Sequence, residues 1–271
     1  MHSKTPLHYE LESRASLEAH PRFASTLSNG LDVLKCFSAA EPLLGNKEIS
    51  EMLGLTRPTV SRLTFTLVGL GYLRRDERTG KYSLGPAVLT LGYPLLVHLT
   101  LRQLAAHDMV ELARYARGPV SMAIRDRLQA VYVETVQDGA SNASRPDIGS
   151  ARPLLRTATG RALLYAQTAA ERELICGRLA EEFPDEWERF GPALPAAYEE
   201  IEEHGFCVVT KDWRAELCGI ATPMRFRSND LPLAFNVTIP ADGLDRQYVY
   251  ETLGPRLRTL VKNLEYRIGI L

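Results

Sequence analysis

Within residues 46–70 two helical runs follow one another with only Leu55 and its flanking residues to turn the chain, and few folds tolerate so short a joint. Asn46 is a good N-cap, Glu48 falls in the first turn, Ile49, Met52 and Leu53 share a face, and Gly54 supplies a left-handed C-terminal residue. Thr56 caps the second run and Pro58 lies in its first turn. Val60, Leu63, Leu67 and Leu70 then recur at steps of three and four until Gly69 and Gly71 end it. Upstream, Leu27, Leu31 and Leu34 give residues 25–37 the spacing of an amphipathic helix, interrupted at Glu41-Pro42. Downstream, two short extended runs, residues 72–75 and 81–84, flank a turn-forming stretch with Gly80, the pattern of a β-hairpin.

Helix, tight turn, helix and basic hairpin is the order of a winged helix-turn-helix, which presents its second helix to the major groove. With Val60, Leu63, Leu67 and Leu70 buried, the opposite face near the helix start exposes Arg57, Thr59, Ser61 and Arg62, types able to bond base edges or phosphates. Arg57 is the best candidate for a base contact because its fork matches guanine O6 and N7, whereas Arg62 could equally grip phosphate. Arg78 and Lys81 in the wing would meet backbone or minor groove, giving register and salt sensitivity. Any one of these basic residues alone reads as a solvated charge; the spacing and the hairpin make the set informative.

Charge agrees by region. The whole chain carries a formal net charge of -1, which excludes a generally polycationic protein. Residues 22–84 nevertheless hold nine basic against six acidic side chains, while residues 181–203 hold nine acidic ones against Arg189 alone. The second stretch is unsuited to lie on phosphate. Cys36, Cys176, Cys207 and Cys218 have neither zinc-site nor dithiol spacing, which fits a reducing cytoplasm, and no metal or cofactor is expected. No apolar run reaches membrane-spanning length, so no membrane partner is expected either.

A length of 271 residues suits two domains. The expected class is α+β: a flexible N-terminal arm (1–22), the winged helix-turn-helix (23–85), a linker helix region (86–117) and a mixed α/β effector-binding domain (118–271). Pro86 opens an apolar helix through Leu89, Leu95, Leu99 and Leu104, with Pro94 expected to kink or divide it. Strands are expected over residues 120–124, 130–136, 206–209, 218–224 and 233–239. A Gly/Ser/Asn/Pro-rich loop is expected at 138–146, and a closing helix carries Leu253, Leu257, Leu260, Leu264 and Ile268.

The run GLTRPTVSRLTFTLVGLGYLRRDERTGKYSLGPAVLTLG resembles the DNA-binding domain of the isocitrate lyase regulator (IclR) family. RTATGRALLYA resembles the helix-opening segment of that family's second domain, and KDWRAELCGIATPM with LAFNVTIPA its paired ligand-domain strands. The resemblance implies a GAF-like effector domain, binding to double-stranded operator DNA, homodimers or tetramers built as dimers of dimers, small organic acids as effectors, and control of catabolic operons. Two departures are Pro94, where the family usually has an uninterrupted linker helix, and Glu216, where it often has Gly.

An acid effector needs fixed donors, and the helix expected to begin at Thr159-Gly160 offers unpaired backbone N–H groups and the positive end of its dipole. Gly160 would admit close approach of a ligand and Thr159 could cap or donate; the alternative is an ordinary capped helix. The resemblance places Asp212, Cys218, Asn236 and Thr238 at positions that face the effector. Strand alternation puts Asn236 and Thr238 on one face, where they either orient a ligand or hydrogen-bond neighbouring backbone. Cys218 reads better as a small core residue than as a nucleophile, and Trp213 either stacks on an aromatic ligand or closes the core. The competing functional class is an enzyme acting on a small acid with a helical docking domain. None of the six histidines forms a metal motif or adjoins a cysteine.

Overall fold

A computed structural model describes residues 11–137, 147–228 and 231–269. The predicted loop at 138–146 lies outside them. The chain forms two compact units, one comprising Glu12–His98 and the other carrying Leu99 onward. Of the expected arm, residues 1–10 lie outside the described residues; Arg14–Glu18 (α1) form a short helix capped by Ser13, with Arg14 paired to Asp32.

In the first unit α2 (Ser25–Lys35), α3 (Asn46–Leu53) and α4 (Arg57–Gly69) enclose a core of Val33, Phe37, Ile49, Val60, Leu63 and Leu67. Strands β1 (Leu73–Arg75) and β2 (Tyr82–Leu84) close it with buried Leu73 and Tyr82, and Leu44 bridges to Tyr82. The tight joint has the expected chemistry: Gly54 turns out of α3 at φ 65°, and Thr56 accepts a hydrogen bond from the Thr59 amide. Four apolar residues assigned to buried faces are instead exposed: Leu27, Leu31, Met52 and Leu70. Helical period selects a stripe wider than the contact itself, and in α2 the buried edge is the one through Val33. Asn46 is not the cap of α3. Gly45 holds that position, and the Asn46 side chain accepts from the Thr64 hydroxyl at 3.1 Å, tying α3 to α4.

The apolar run after the wing is two helices, α5 (Ala87–His98) and α6 (Leu101–Ala116). The break falls at residues 99–100; Pro94 is held inside α5, forfeiting one ladder bond without ending the helix.

The second unit is built on a six-stranded antiparallel sheet of order β5-β4-β3-β8-β7-β6. Its strands are β3 (Val120–Asp126), β4 (Gln129–Val136), β5 (Ala151–Pro153), β6 (Cys207–Thr210), β7 (Leu217–Ser228) and β8 (Leu231–Pro240). The three-residue β5 was not expected, being too short to show a period. Register pairs Val120 with Val237 and Met122 with Phe235 on one face, and Ser121 with Asn236 and Ala123 with Ala234 on the other. The bulky face packs against α6 and the closing helix. The small-residue face, continued by Ala221 and Gly219, receives α7 (Ala158–Tyr165), followed by α8 (Ala169–Glu182), α9 (Pro184–Phe190) and α10 (Leu194–His204). The chain closes with α11 (Gly254–Arg267), entered through a π-helical turn over Val249–Leu253. Large residues on one face and small ones on the other bring α7 close to the sheet at the end where a pocket remains.

Candidate functional site

The first unit presents the start of α4. Arg57 is its first residue, and Arg57, Ser61 and Arg62 are exposed. Neither arginine side chain has a hydrogen-bond or ion-pair partner among the described residues, so both guanidiniums are free to meet an external acceptor. Thr59 is half-buried, its hydroxyl 2.9 Å from that of Thr56, which spends it on the cap. On the wing, Asp76 accepts from the Arg78 and Thr79 amides and shapes the turn, leaving the Arg78 side chain exposed. Lys81 is paired with Glu48 at 2.9 Å and holds that carboxyl below its usual range. Two features escaped sequence reasoning: Arg74 and Arg75 are exposed on β1, and Phe65 is 80% exposed on α4, four residues on from Ser61. Periodicity had no means of finding Phe65, since an aromatic residue in a helix is ordinarily core.

The second unit has a cleft of about 60 Å³ between the start of α7 and the small-residue face of the sheet. Of the seven predicted effector residues, Thr159, Trp213, Asn236 and Thr238 line it. The other three lie outside its lining. Gly160 is buried against the backbone of Leu154, where a Cβ would come within 2.3 Å of the Leu154 Cα, so its bareness seats the helix. The Asp212 carboxylate turns to the buried Arg161 guanidinium at 2.6 Å. Cys218 sits between the cleft-lining Leu217 and Gly219 on a strand, so alternation points it to the other face, where the Thr210 hydroxyl donates to its sulfur at 3.3 Å. Burial pushes its thiol pKa up, so it is a protonated core group.

Thr157, not Thr159, caps α7: its hydroxyl accepts from the Gly160 amide at 3.0 Å and donates to the Pro153 carbonyl at 2.8 Å. That frees Thr159 for the cleft, where its hydroxyl lies 3.1 Å from the Tyr132 phenol. Burial raises the Tyr132 pKa, keeping the phenol neutral and able to donate. On β8 the Asn236 amide nitrogen donates to the Thr238 hydroxyl at 3.1 Å.

Sequence reasoning missed the charged part of the site. Arg152, Arg156, Lys211 and Arg214 line the cleft, and no carboxylate does among the described residues. Arg156 is spent on structure: it donates to the Asp212 carbonyl at 3.0 Å and to Glu186 at 3.2 Å, and lies 5.1 Å from the centre of the Trp213 ring. Arg152 stacks on the same ring at 5.7 Å and has no carboxylate partner among the described residues. Its charge is therefore uncompensated. An engineered cavity of about 150 Å³ holds benzene. The cleft, at about 60 Å³, is smaller than that.

Comparison with known proteins bears on both sites. Residues 26–77 match the model of the IclR helix-turn-helix domain, and residues 94–266 that of the bacterial transcriptional regulator IclR C-terminal domain. The HTH-type transcriptional regulator TsaQ1/TsaQ2 of Comamonas testosteroni is 33% identical over 242 residues, covering 89% of this chain and 87% of the relative. The crystal structure of an IclR family transcriptional regulator from Brucella abortus superposes with a TM-score of 0.83 at 38% identity, over 98% of this chain and 99% of the other. A homologue from Microbacterium hydrocarbonoxydans, solved with 4-hydroxybenzoate, shares the fold, with a TM-score of 0.70 at 20% identity over 89% of this chain and 98% of that one.

Proposed function

The chain belongs to the IclR family of DNA-binding bacterial transcription regulators, and from that premise we propose that it controls a catabolic operon in response to a small organic acid, aromatic in character, bound between α7 and β8. The observation that carries this reading is the charge of the cleft: four cations line it, of which Arg156, Lys211 and Arg214 are ion-paired to Glu186, Asp242 and Glu216 outside it, while Arg152 donates to the Ala151 carbonyl and has no carboxylate partner among the described residues. Such a site disfavours neutral and cationic ligands through the desolvation of its own charges. Trp213 offers the ring an aromatic acid would stack on. The Microbacterium homologue's 4-hydroxybenzoate supplies a first probe.

Arg57, Ser61 and Arg62 are the proposed base and phosphate contacts, with Arg78 adding backbone contact from the wing. Thr59 and Lys81 act second to these, since each already holds a partner. Two copies would be needed to read two half-sites one helical turn apart. The exposed apolar residues of α5, Leu89, Leu91, Tyr93, Leu95 and Val97, support pairing with a second copy, as a dimer or a dimer of dimers. Binding without turnover is favoured, since the titratable groups lining the cleft are cations and a phenol held neutral by burial, with no carboxylate, histidine or cysteine among the described lining residues to act as a base.

Thermal-shift titration with benzoate, 4-hydroxybenzoate and short aliphatic acids tests the sensor. One of these acids should raise Tm, by an increment that grows with concentration. Arg152→Ala should abolish most of that increment while leaving operator binding by the unliganded protein unchanged. If no acid shifts Tm, the sensor reading is wrong.

A further inference from the structure

We infer that the acid taken by this cleft also carries a hydrogen-bond donor, a hydroxyl group, which is received by the side-chain oxygen of Asn236. The inference rests on the acid-sensor reading above and narrows its ligand class. Asn236 is 2% exposed and lines the cleft, on the central strand β8. One amide N–H donates to Thr238, but its Oδ1 is buried with no partner among the described residues. A buried acceptor left unmade is costly, and most such atoms in folded proteins are satisfied. A ligand in the cleft that brought a proton to that oxygen would satisfy it.

The remaining polar groups have the opposite polarity. The Tyr132 and Thr159 hydroxyls share one hydrogen bond, so one hydroxyl proton of the pair remains to donate. Arg152 carries only donors, and the Thr238 hydroxyl, having accepted from Asn236, can donate its own proton. A carboxylate, which only accepts, is suited to these groups and not to Asn236 Oδ1. A simple acid would satisfy the donors and bury the Asn236 oxygen against its apolar part; a hydroxy acid satisfies both ends. Sites built to bond a ligand hydroxyl reject the analogue lacking it far more strongly than apolar pockets reject a missing methylene.

Calorimetric titration of the full-length protein with benzoate, 3- and 4-hydroxybenzoate and the corresponding methoxybenzoates tests this, with lactate and propionate as an aliphatic pair. A hydroxy acid should bind roughly tenfold or more tightly than its parent. The methoxy analogue, which keeps the oxygen but loses the proton, should bind no better than the parent. In Asn236→Leu, which keeps the volume and loses the acceptor, hydroxy and parent acids should converge to within about twofold. Circular dichroism establishes that the variant is folded, and the series on the unmutated protein decides the matter if it is not. Equal binding of hydroxy, methoxy and parent acids overturns the donor requirement and leaves the acid sensor standing. Absence of binding by every acid overturns both.

Discussion

Arg57→Ala should weaken binding to a specific operator by about 1–3 kcal/mol, roughly five- to 150-fold, while leaving the melting temperature of the protein unchanged. The expectation follows from where the side chain sits. Arg57 is the first residue of α4, exposed, and without a side-chain partner among the described residues, so removing it deprives the free protein of nothing. Surface substitutions of that kind stay within about 0.5 kcal/mol of neutral stability. Fluorescence anisotropy with an operator selected from random DNA, at fixed salt, measures the loss. A fork to guanine also predicts that the loss is confined to sequences holding that guanine, whereas a phosphate contact would lower affinity for all sequences alike. Unchanged affinity would remove Arg57 from the interface.

A second large effect is expected from Gly160→Ala. An alanine Cβ would come within 2.3 Å of the Leu154 Cα and carbonyl oxygen, and a backbone obstacle cannot rotate away as a side chain would. Either α7 lifts from the sheet or the segment before it moves. Overpacking of buried sites costs about 1–3 kcal/mol where side chains can adjust, and here the cost should reach or exceed that upper figure. For a unit of this size that is a fall of roughly 6–12 °C in Tm, readable by scanning calorimetry. An unshifted transition would mean that the approach of α7 to Leu154 is looser than the geometry states. Because α7 also positions Thr159, the variant should lose acid binding together with stability.

The first unit was legible because its signals are local. Gly54, Thr56, Pro58 and Asp76 each act on their immediate neighbours through φ, a cap or a turn, and a sequence displays such neighbours directly. The misassignments there, Leu27, Leu31, Met52 and Leu70, are of one kind: a period identifies a face, while the partner element decides how much of it is covered. The cleft was legible in Thr159, Trp213 and its polar floor. Asn236 and Thr238 stand two apart on a strand, and alternation placed them together. The rim could not be read this way. Arg152, Arg156, Lys211 and Arg214 come from β5 and two loops, and only tertiary structure brings segments about 60 positions apart to one Trp213 ring. Neighbours in sequence were separated for the same reason. Cys218 and Gly219 differ by one residue and so lie on opposite faces of β7, and Asp212 was claimed by Arg161 while Trp213 stayed at the cleft.

The proposed function requires that an acid bound in the second unit change how tightly the first unit holds DNA. Linkage requires the effect to be reciprocal: if an acid alters operator affinity, the operator must alter acid affinity by the same factor. The direct measurement is operator binding by the purified full-length protein, followed by anisotropy with and without a saturating acid found by thermal shift. We expect a change of at least about fivefold in operator affinity, in either direction, and its disappearance in Arg152→Ala. Operator affinity that is identical with and without an acid that demonstrably binds the cleft would contradict the account.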